Sequence, residues 1–170
     1  VIGARRRRNS IGSQLLARIV AAGFTGEIHP VNPNVRTLRR RTAYPSVAAV
    51  PGRVDLAVIA VPAHAVLEVV DECAEAGVKA LLVVSGGFAE EGRDGARLQA
   101  ELLRRARGAG MRVVGPNSFG LINNDPSLRL NASLAMTLPP VGRVGLFAQS
   151  GALGIAVLAS AARRNLGIST

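Results

Sequence analysis

The sequence predicts an α/β fold built on a Rossmann-like parallel sheet. Short, continuous apolar segments alternate with longer amphipathic ones along the first two thirds of the chain, and such apolar segments are typical of strands covered on both faces. Glycine, proline or asparagine stands near the end of each apolar segment, where a chain must turn. Alternation at this period predicts parallel strands joined by crossover helices, so that the strands all end at one edge of the sheet. The core is expected to be aliphatic, because 48% of the residues are hydrophobic and only 3% are aromatic.

The first twelve residues predict a strand, a turn and the start of a helix. Val1 and Ile2 form the strand, Gly3 makes the turn, and Ser10 is a residue type favoured as a helix N-cap. The first amides of a helix lack partners and carry positive potential, and the intervening loop holds four arginines, Arg5 to Arg8. We therefore expect a bound anion here, a phosphate before any other. The alternative is an ordinary turn followed by a solvated run of arginines.

Four further strands and two further helices are predicted from the apolar pattern. The strands cover residues 27–33, 55–61, 78–84 and 111–115, and the helices cover residues 63–76 and 94–107. In open parallel sheets, ligands bind beyond the carboxyl ends of the strands, so the predicted ligand site is the edge where the five strands end. The residues at these ends are Gly3-Ala4, Asn32-Pro33, Val61-Pro62, Ser85-Gly86 and Gly115 to Ser118.

The net charge of +10 is concentrated near the start of the chain. Residues 1–53 contain ten arginines and one acid, Glu27, which gives this part a net charge of +9. In an NAD-binding fold the second strand ends near an acid that binds the ribose hydroxyls, whereas Asn32, Pro33 and Arg36 stand at that place here. A base in place of the acid favours a ligand with an extra phosphate on its adenosine ribose, namely NADP or coenzyme A (CoA).

Other classes of function are disfavoured. No helix-turn-helix, zinc pattern or aromatic stacking strip accompanies the basic clusters, so we expect no nucleic-acid partner and no metal site. The sequence has no apolar run of about 18 residues and no signal-peptide pattern, so we expect a cytoplasmic protein without a membrane partner. Cys73 lies on the apolar face of a predicted helix and is expected to be buried and inert. His29 is expected to be structural, and ligand contact by His64 is the less favoured alternative.

A boundary between two domains is also predicted. Residues 1–123 form the first domain, and residues 124–141, rich in Asn, Pro and Ser, are expected to be a linker. Residues 142–170 predict the first strand and helix of a second α/β domain. The small residues where that helix begins suit a second phosphate site, formed by Gln149, Ser150 and Gly151. Because the chain starts inside a predicted strand and stops just after a turn, we expect it to be a piece of a longer protein.

Six short motifs occur in the order in which one enzyme family has them. They are Val-Ile-Gly-Ala with Ser10-Ile-Gly12, Pro-Val-Asn-Pro at 30–33, Asp-Leu-Ala-Val-Ile-Ala-Val-Pro at 55–62, Ser-Gly-Gly-Phe-Ala-Glu at 85–90, Gly-Pro-Asn at 115–117 and Gln-Ser-Gly-Ala-Leu-Gly at 149–154. Together they resemble the NDP-forming acyl-CoA synthetases and the α subunit of succinyl-CoA synthetase. The resemblance covers the CoA-binding domain of that family and the start of a second, flavodoxin-like domain.

The resemblance implies a domain that binds CoA or acyl-CoA. The expected ligand residues follow the strand ends and the first helix: Gly3, Ala4, Arg5, Ser10, Ile11, Gly12, Asn32, Pro33, Arg36, Val61, Pro62, Ala63, Ser85, Gly86, Asn117 and Ser118. The helix that starts at Ser150 is expected to hold a phosphate or a phosphohistidine. Family chemistry moves a phosphoryl group through a histidine and then gives the acyl group to CoA.

Two departures limit what the resemblance implies. Neither His29 nor His64 matches the phosphoryl-carrying histidine, and Ser118 stands where the family often has a cysteine. No catalytic residue is therefore expected in this chain, and ATP or ADP would bind only to other domains or to a partner subunit. A homo-oligomer is possible. The same module also resembles the synthetase-like half of bacterial protein lysine acetyltransferases, where it would sense acyl-CoA, and an NADP-binding reductase domain is the third hypothesis.

Overall fold

The computed structural model describes residues 1–7 and 9–170, which divide into two units. Unit 1 comprises Val1–Gln14 and His29–Ser118, and unit 2 comprises Leu15–Ile28 and Phe119–Thr170, so that the division falls inside the first helix. The helices are α1 (Ile11–Ala21), α2 (Ala63–Glu75), α3 (Arg93–Gly108) and α4 (Gly151–Arg163). The strands are β1 (Thr37–Leu38), β2 (Arg41–Thr42), β3 (Leu56–Ile59), β4 (Ala80–Val83), β5 (Arg112–Val114), β6 (Gly120–Asn123), β7 (Leu130–Ser133) and β8 (Val141–Val144).

Unit 1 contains the predicted parallel sheet. β3, β4 and β5 lie side by side in that order and run parallel, with Leu56 opposite Ala80 and Ala80 opposite Arg112. All residues of β3 and β4 are buried except the first of each, which is half-buried. This burial is expected for continuous apolar strands inside an α/β sheet. The predicted α/β fold is therefore confirmed.

The first two predicted strands are each reduced to a single bridging residue. Ile2 forms parallel bridges to Val31 on one side and to β3 on the other, so the order across the unit is Val31, Ile2, β3, β4, β5. Val31 lies between Pro30 and Pro33, which have no N–H to donate to a ladder. Gly3, with φ of 90°, turns the chain directly after Ile2. The direction of winding changes between Ile2 and β3, and open α/β sheets bind ligands at such a switch point.

Helices α2 and α3 complete the core of unit 1. The buried positions of α2 are Val66, Val70 and Cys73, and those of α3 include Leu102 and Ala106. They belong to one apolar cluster with the buried residues of the sheet. Both helices agree with the predicted ranges to within one residue, because their apolar positions recur at the helical period.

A short hairpin follows the Val31 segment and precedes β3. β1 and β2 pair antiparallel and are joined by Arg39 and Arg40, whose φ angles are 50° and 63°. The Ala43 amide donates to the Arg36 carbonyl oxygen at 2.9 Å, which closes the base of the hairpin. We name residues 36–43 the arginine hairpin. Its two turn arginines are exposed.

Unit 2 contains a buried hairpin where the sequence predicts a linker. β6 and β7 pair antiparallel, and all four residues of β7 are buried. The apolar pattern does not predict this strand, because two of its four residues, Asn131 and Ser133, are polar. Both are satisfied inside the unit: the Ser133 hydroxyl donates to Asn131 Oδ1 at 2.7 Å and accepts from the Ala135 amide at 3.2 Å. Residues 124–141 therefore include a paired strand, and the two units divide at other positions than the predicted domains.

After the hairpin, unit 2 continues with a strand, a helix and a returning segment. Val141 and Val144 of β8 form parallel bridges to Ile168, and α4 lies between these segments in the sequence. Strand, helix and parallel strand in succession form a βαβ arrangement. Leu158 and Ala161 of α4 pack in the same buried cluster as Ile168.

Candidate functional site

Hydrogen bonds join the segments that leave the parallel sheet of unit 1 at its carboxyl edge. The Asn32 side chain donates to the Ala4 carbonyl oxygen at 2.8 Å, and the Ser85 hydroxyl donates to the Val61 carbonyl oxygen at 2.5 Å. The Asn117 amide donates to the Ser85 carbonyl oxygen at 2.9 Å. We name this edge the rim and define it by residues 3–4, 32–33, 61–63, 85–86 and 115–118. The structure thus brings together the strand ends that the sequence predicts as a ligand site.

The first helix begins directly against the first turn. A Cβ atom on Gly12 would lie 2.8 Å from the Gly3 carbonyl oxygen, and one on Gly3 would lie 2.4 Å from the Ala60 carbonyl oxygen. Gly3 also has φ of 90°, a conformation that glycine alone adopts without strain. The backbones of the helix start, the first turn and the end of β3 therefore approach one another closely. Backbone amides that bind phosphates in α/β folds are arranged in this way.

Ser13 fixes the loop that precedes α1. Its hydroxyl accepts from the Arg5 amide at 2.9 Å and donates to the Arg5 carbonyl oxygen. The Ser10 hydroxyl lies 2.8 Å from Ser13 Oγ and 3.1 Å from the Arg7 carbonyl oxygen. The Ser10 carbonyl oxygen accepts from the amides of Ser13 and Gln14, so the helix starts at the predicted place. The sequence does not single out Ser13, although a polar residue at a buried helical position is the signal that identifies it.

The loop and the segment after Val31 carry exposed guanidinium groups. Arg5, Arg6, Arg7 and Arg36 are exposed, and Arg8 lies outside the described residues. Exposed cations near a helix N-terminus add to the positive potential of its amides. The electrostatic potential is therefore positive at the end of the rim that contains the first turn.

Asn32 has a positioning role at the rim. Besides its bond to Ala4, its Oδ1 accepts from the Asn34 amide at 2.8 Å, and only 8% of the residue is exposed. An NAD-binding fold has an acid near this place, whereas this chain has an amide that binds its own backbone. The exposed charge of this segment belongs to Arg36 instead.

The other predicted ligand residues differ in exposure. Ser85 is buried, and its hydroxyl donates to the Val61 carbonyl oxygen. The exposed members of the set are Ile11, Pro33, Pro62, Gly86 and Asn117. The half-buried members are Val61, Ala63 and Ser118.

Glu90 holds the glycine turn that follows β4. Its Oε1 accepts from the Gly87 amide at 2.7 Å, and a Cβ atom on Gly86 would lie 3.1 Å from the same oxygen. Backbone N–H groups of Glu90 itself, and then of Gly87 and Phe88, hold the pKa of the Glu90 carboxyl below its usual range. In the sequence, Glu90 is the last residue of the Ser-Gly-Gly-Phe-Ala-Glu motif. Its spacing after two glycines is the signal for a side chain that caps a turn.

The second predicted phosphate site lies at the start of α4 in unit 2. Ser150 is the N-cap, and its Oγ accepts from the Leu153 amide at 3.3 Å. Gln149 and Ser150 are exposed. A Cβ atom on Gly151 would lie 3.0 Å from Phe119 Cβ, so this glycine also permits a packing contact. The three predicted residues therefore stand together at one helix N-terminus.

The remaining candidate residues are the two histidines and the cysteine. The His29 ring meets the Tyr44 ring edge-on at a centroid distance of 5.5 Å, and His64 is exposed in the first turn of α2. Burial raises the pKa of the Cys73 thiol to about 12. Within the described part of the chain, no three His, Cys, Asp or Glu side chains are grouped as metal ligands. The same part contains no helix that is both long and apolar enough to cross a membrane.

Comparison with known proteins identifies close relatives along the whole chain. The chain is 38% identical to the α subunit of an ADP-forming acetate–CoA ligase from Pyrococcus furiosus, over 99% of its own length and 37% of that subunit. It is 34% identical to an ADP-forming 4-hydroxybutyrate–CoA ligase from Nitrosopumilus maritimus, over 99% of its own length and 24% of that protein. The chain thus spans about a quarter to two fifths of these relatives.

A solved structure has the same fold. An acetyl-coenzyme A synthetase from Candidatus Korarchaeum cryptofilum, in complex with phosphate and ADP, superposes with a TM-score of 0.90 at 42% identity. The match covers 99% of this chain and 36% of that one. In addition, residues 1–124 match the protein family described as a CoA binding domain. With the fold, the family match and these relatives in agreement, the chain belongs to the CoA-binding-domain family, in the form found in ADP-forming acyl-CoA synthetases.

Proposed function

We propose that this chain is the CoA-binding part of an ADP-forming acyl-CoA synthetase and that its rim binds CoA or acyl-CoA. The observation that carries the proposal is the close approach of Gly3, Gly12 and Ala60 at the switch point of the sheet. At such a place, helix amides can donate directly to a diphosphate. The exposed guanidinium groups of Arg5 and Arg36 add charge-assisted bonds to phosphate oxygens.

The chemistry of the rim fits the successive parts of CoA. We assign the nucleotide end to the first turn and the start of α1, where the amides and arginines lie. Ile11, which is 46% exposed, gives an apolar surface beside that turn for the pantetheine chain. Asn117 and Ser118, at the end of β5, are assigned to the thiol end. Asn32 and Ser85 act as positioning residues, since their side chains bind neighbouring backbone.

CoA supplies the thiol that accepts an acyl group, and this chain contributes binding and orientation. We assign no catalytic residue to it. Phosphoryl transfer and the binding of ATP or ADP are assigned to the parts of the relatives that this chain does not span, in further domains or in a partner subunit. At the start of α4, Gln149, Ser150 and Gly151 are proposed to bind a phosphate.

The ligase hypothesis is favoured over the two alternatives. The relatives described above are acid–thiol ligases, and none of them is an acetyltransferase or a reductase. The side-chain amide of Asn32 is hydrogen-bonded to the backbone of Ala4 and Asn34. The contact between an acid and the ribose in NAD-binding folds therefore has no counterpart at Asn32.

Calorimetric titration of the protein with CoA and with dephospho-CoA tests the proposal. We expect CoA to bind more tightly, and Arg36→Ala to weaken CoA binding about tenfold, the effect of losing one charge-assisted bond. Arg53→Ala is the matched control, because Arg53 is exposed but paired with Asp55 at 2.5 Å. Equal affinity for both ligands, or tighter binding of NADP, would contradict the proposal.

A further inference from the structure

The backbone conformation at the turn of the arginine hairpin is one that arginine rarely adopts. Arg39 and Arg40 are its two central residues, and both have positive φ, 50° and 63°. Two-residue hairpin turns of this kind favour Asn-Gly, Asp-Gly or Gly-Gly. A side chain with a Cβ atom raises the energy in this region, and arginine has no short polar group to compensate locally. Strained residues are retained where the surrounding structure or a function requires them.

Both ends of the hairpin are attached to the rim. At its start, the Val35 amide donates to the Asn32 carbonyl oxygen at 3.5 Å; at its end, the Tyr44 carbonyl oxygen accepts from the Asn32 amide at 2.8 Å. Asn32 in turn holds Ala4 in the first turn. The hairpin therefore extends from the residue that organises the proposed nucleotide end of the site.

The hairpin is strongly cationic. Arg36, Arg39 and Arg40 are exposed, and no aspartate or glutamate occurs between His29 and Val54. Two other arginines of unit 1, Arg53 and Arg105, differ because each has a carboxylate oxygen at 2.5 Å. A cluster of guanidinium groups without acids in its own segment is suited to an anion that comes from outside the chain.

We propose that the Arg39–Arg40 turn is a specificity determinant that binds the ribose 3′-phosphate of CoA. The inference rests on the proposed function and extends it from Arg36 to the tip of the hairpin. In doubly wound folds, the segment after the second strand lies beside the ligand's ribose. The hairpin occupies that segment, so its arginines stand where the phosphate that distinguishes CoA from dephospho-CoA is expected. Guanidinium groups bind such a phosphate in two-point fashion.

The double variant Arg39→Asn, Arg40→Gly tests the inference, because it removes two charges and installs residues that the turn favours. We expect its melting temperature to rise by about 2–4 °C. We expect the Kd for CoA to rise about tenfold and the Kd for dephospho-CoA to change less than twofold. Arg163→Gln with Arg164→Gln is the control, since it removes the same charge from exposed positions at the end of α4.

The outcomes separate the inference from the proposed function. If the wild type binds CoA and the double variant is more stable with unchanged CoA affinity, the assignment of the turn is overturned and the proposed function stands. Equal weakening of CoA and dephospho-CoA also overturns the assignment to the 3′-phosphate. If the wild type does not bind CoA at all, the proposed function fails, and the inference fails with it.

Discussion

The side chain of Asn32 joins two strand ends of the rim by donating to the Ala4 carbonyl oxygen at 2.8 Å. Its other end accepts from the Asn34 amide at 2.8 Å. One buried amide thus fixes both the first turn, where the phosphates are proposed to bind, and the start of the segment that leads to the arginine hairpin. The side-chain amide suits both contacts, because its Nδ2 donates to one backbone group while its Oδ1 accepts from another.

Replacing Asn32 tests this positioning role. We expect Asn32→Ala to lower the free energy of unfolding by about 1–3 kcal/mol, since it leaves the carbonyl oxygen of the buried Ala4 without its side-chain partner. We also expect Asn32→Ala to weaken CoA binding. Asn32→Asp should weaken CoA binding at least as strongly as Asn32→Ala does, because a carboxylate cannot donate to the Ala4 carbonyl oxygen. Urea unfolding and calorimetry measure the two effects. Asn34→Ala is the control, since Asn34 participates through its backbone amide; a loss equal to that of Asn32→Ala would contradict the assignment.

The first turn was predictable from the sequence, and the side chains that hold it were not. Gly3 stands between an apolar pair and a polar loop, a pattern that reveals a turn by itself. Asn32 acts on a backbone carbonyl that folding brings near it, since its partner Ala4 lies 28 residues away in the sequence. Its role depends on which strands are adjacent and on their register, which a local pattern does not contain.

Gly3 is expected to be among the positions least tolerant of substitution. Gly3→Ala combines an unfavourable φ of 90° with a Cβ atom 2.4 Å from the Ala60 carbonyl oxygen. We expect a loss of about 2–5 kcal/mol in the free energy of unfolding and loss of CoA binding. Gly52→Ala isolates the backbone effect, because Gly52 has φ of 75° but no atom within 4 Å of its Cβ position. Its loss should be about 1 kcal/mol, and similar losses at both positions would refute the steric argument.

The secondary-structure elements also differ in how well a local sequence pattern predicts them. β3, β4, α2 and α3 were predictable because their apolar residues follow one period without interruption. The Val31 segment is shortened by its flanking prolines. β7 escaped prediction because its polar residues satisfy each other: Asn131 and Ser133 are hydrogen-bonded at 2.7 Å inside unit 2. A polar composition indicates a loop only where such partners are absent.

Glu90 should make CoA binding sensitive to acid. Its pKa in the folded protein lies below the usual 4.5, chiefly because its own backbone N–H donates to the carboxylate. A depressed pKa means that the ionised form supports the glycine turn above about pH 4.5, and that this support is lost as the pH falls through the folded-state pKa. We expect CoA affinity of the wild type to fall more steeply than that of Glu90→Gln as the pH is lowered below about 4.5.

Comparison of the two pH profiles is the measurement that decides the role of Glu90. The protonation of CoA phosphates and the acid response of other carboxylates, such as Glu101 beside Arg104 and Arg105, contribute equally to both proteins. The difference between the profiles therefore reports Glu90. Parallel profiles would show that the carboxylate does not support the turn that is proposed to bind CoA.

Cys73 is expected to report the folding of unit 1 and to have no part in ligand chemistry. The residue is 0% exposed, and this burial raises the pKa of its thiol to about 12. A thiol reagent at pH 8 should therefore modify the protein only as fast as unit 1 unfolds, and fully in urea.

Cys73→Ala should leave CoA affinity unchanged and lower the free energy of unfolding by about 1 kcal/mol. Cys73→Ser should be less stable by about 1–3 kcal/mol, because it buries a hydroxyl among apolar side chains. Rapid modification of the native protein, or loss of CoA binding in Cys73→Ala, would place the thiol at the site instead of in the core.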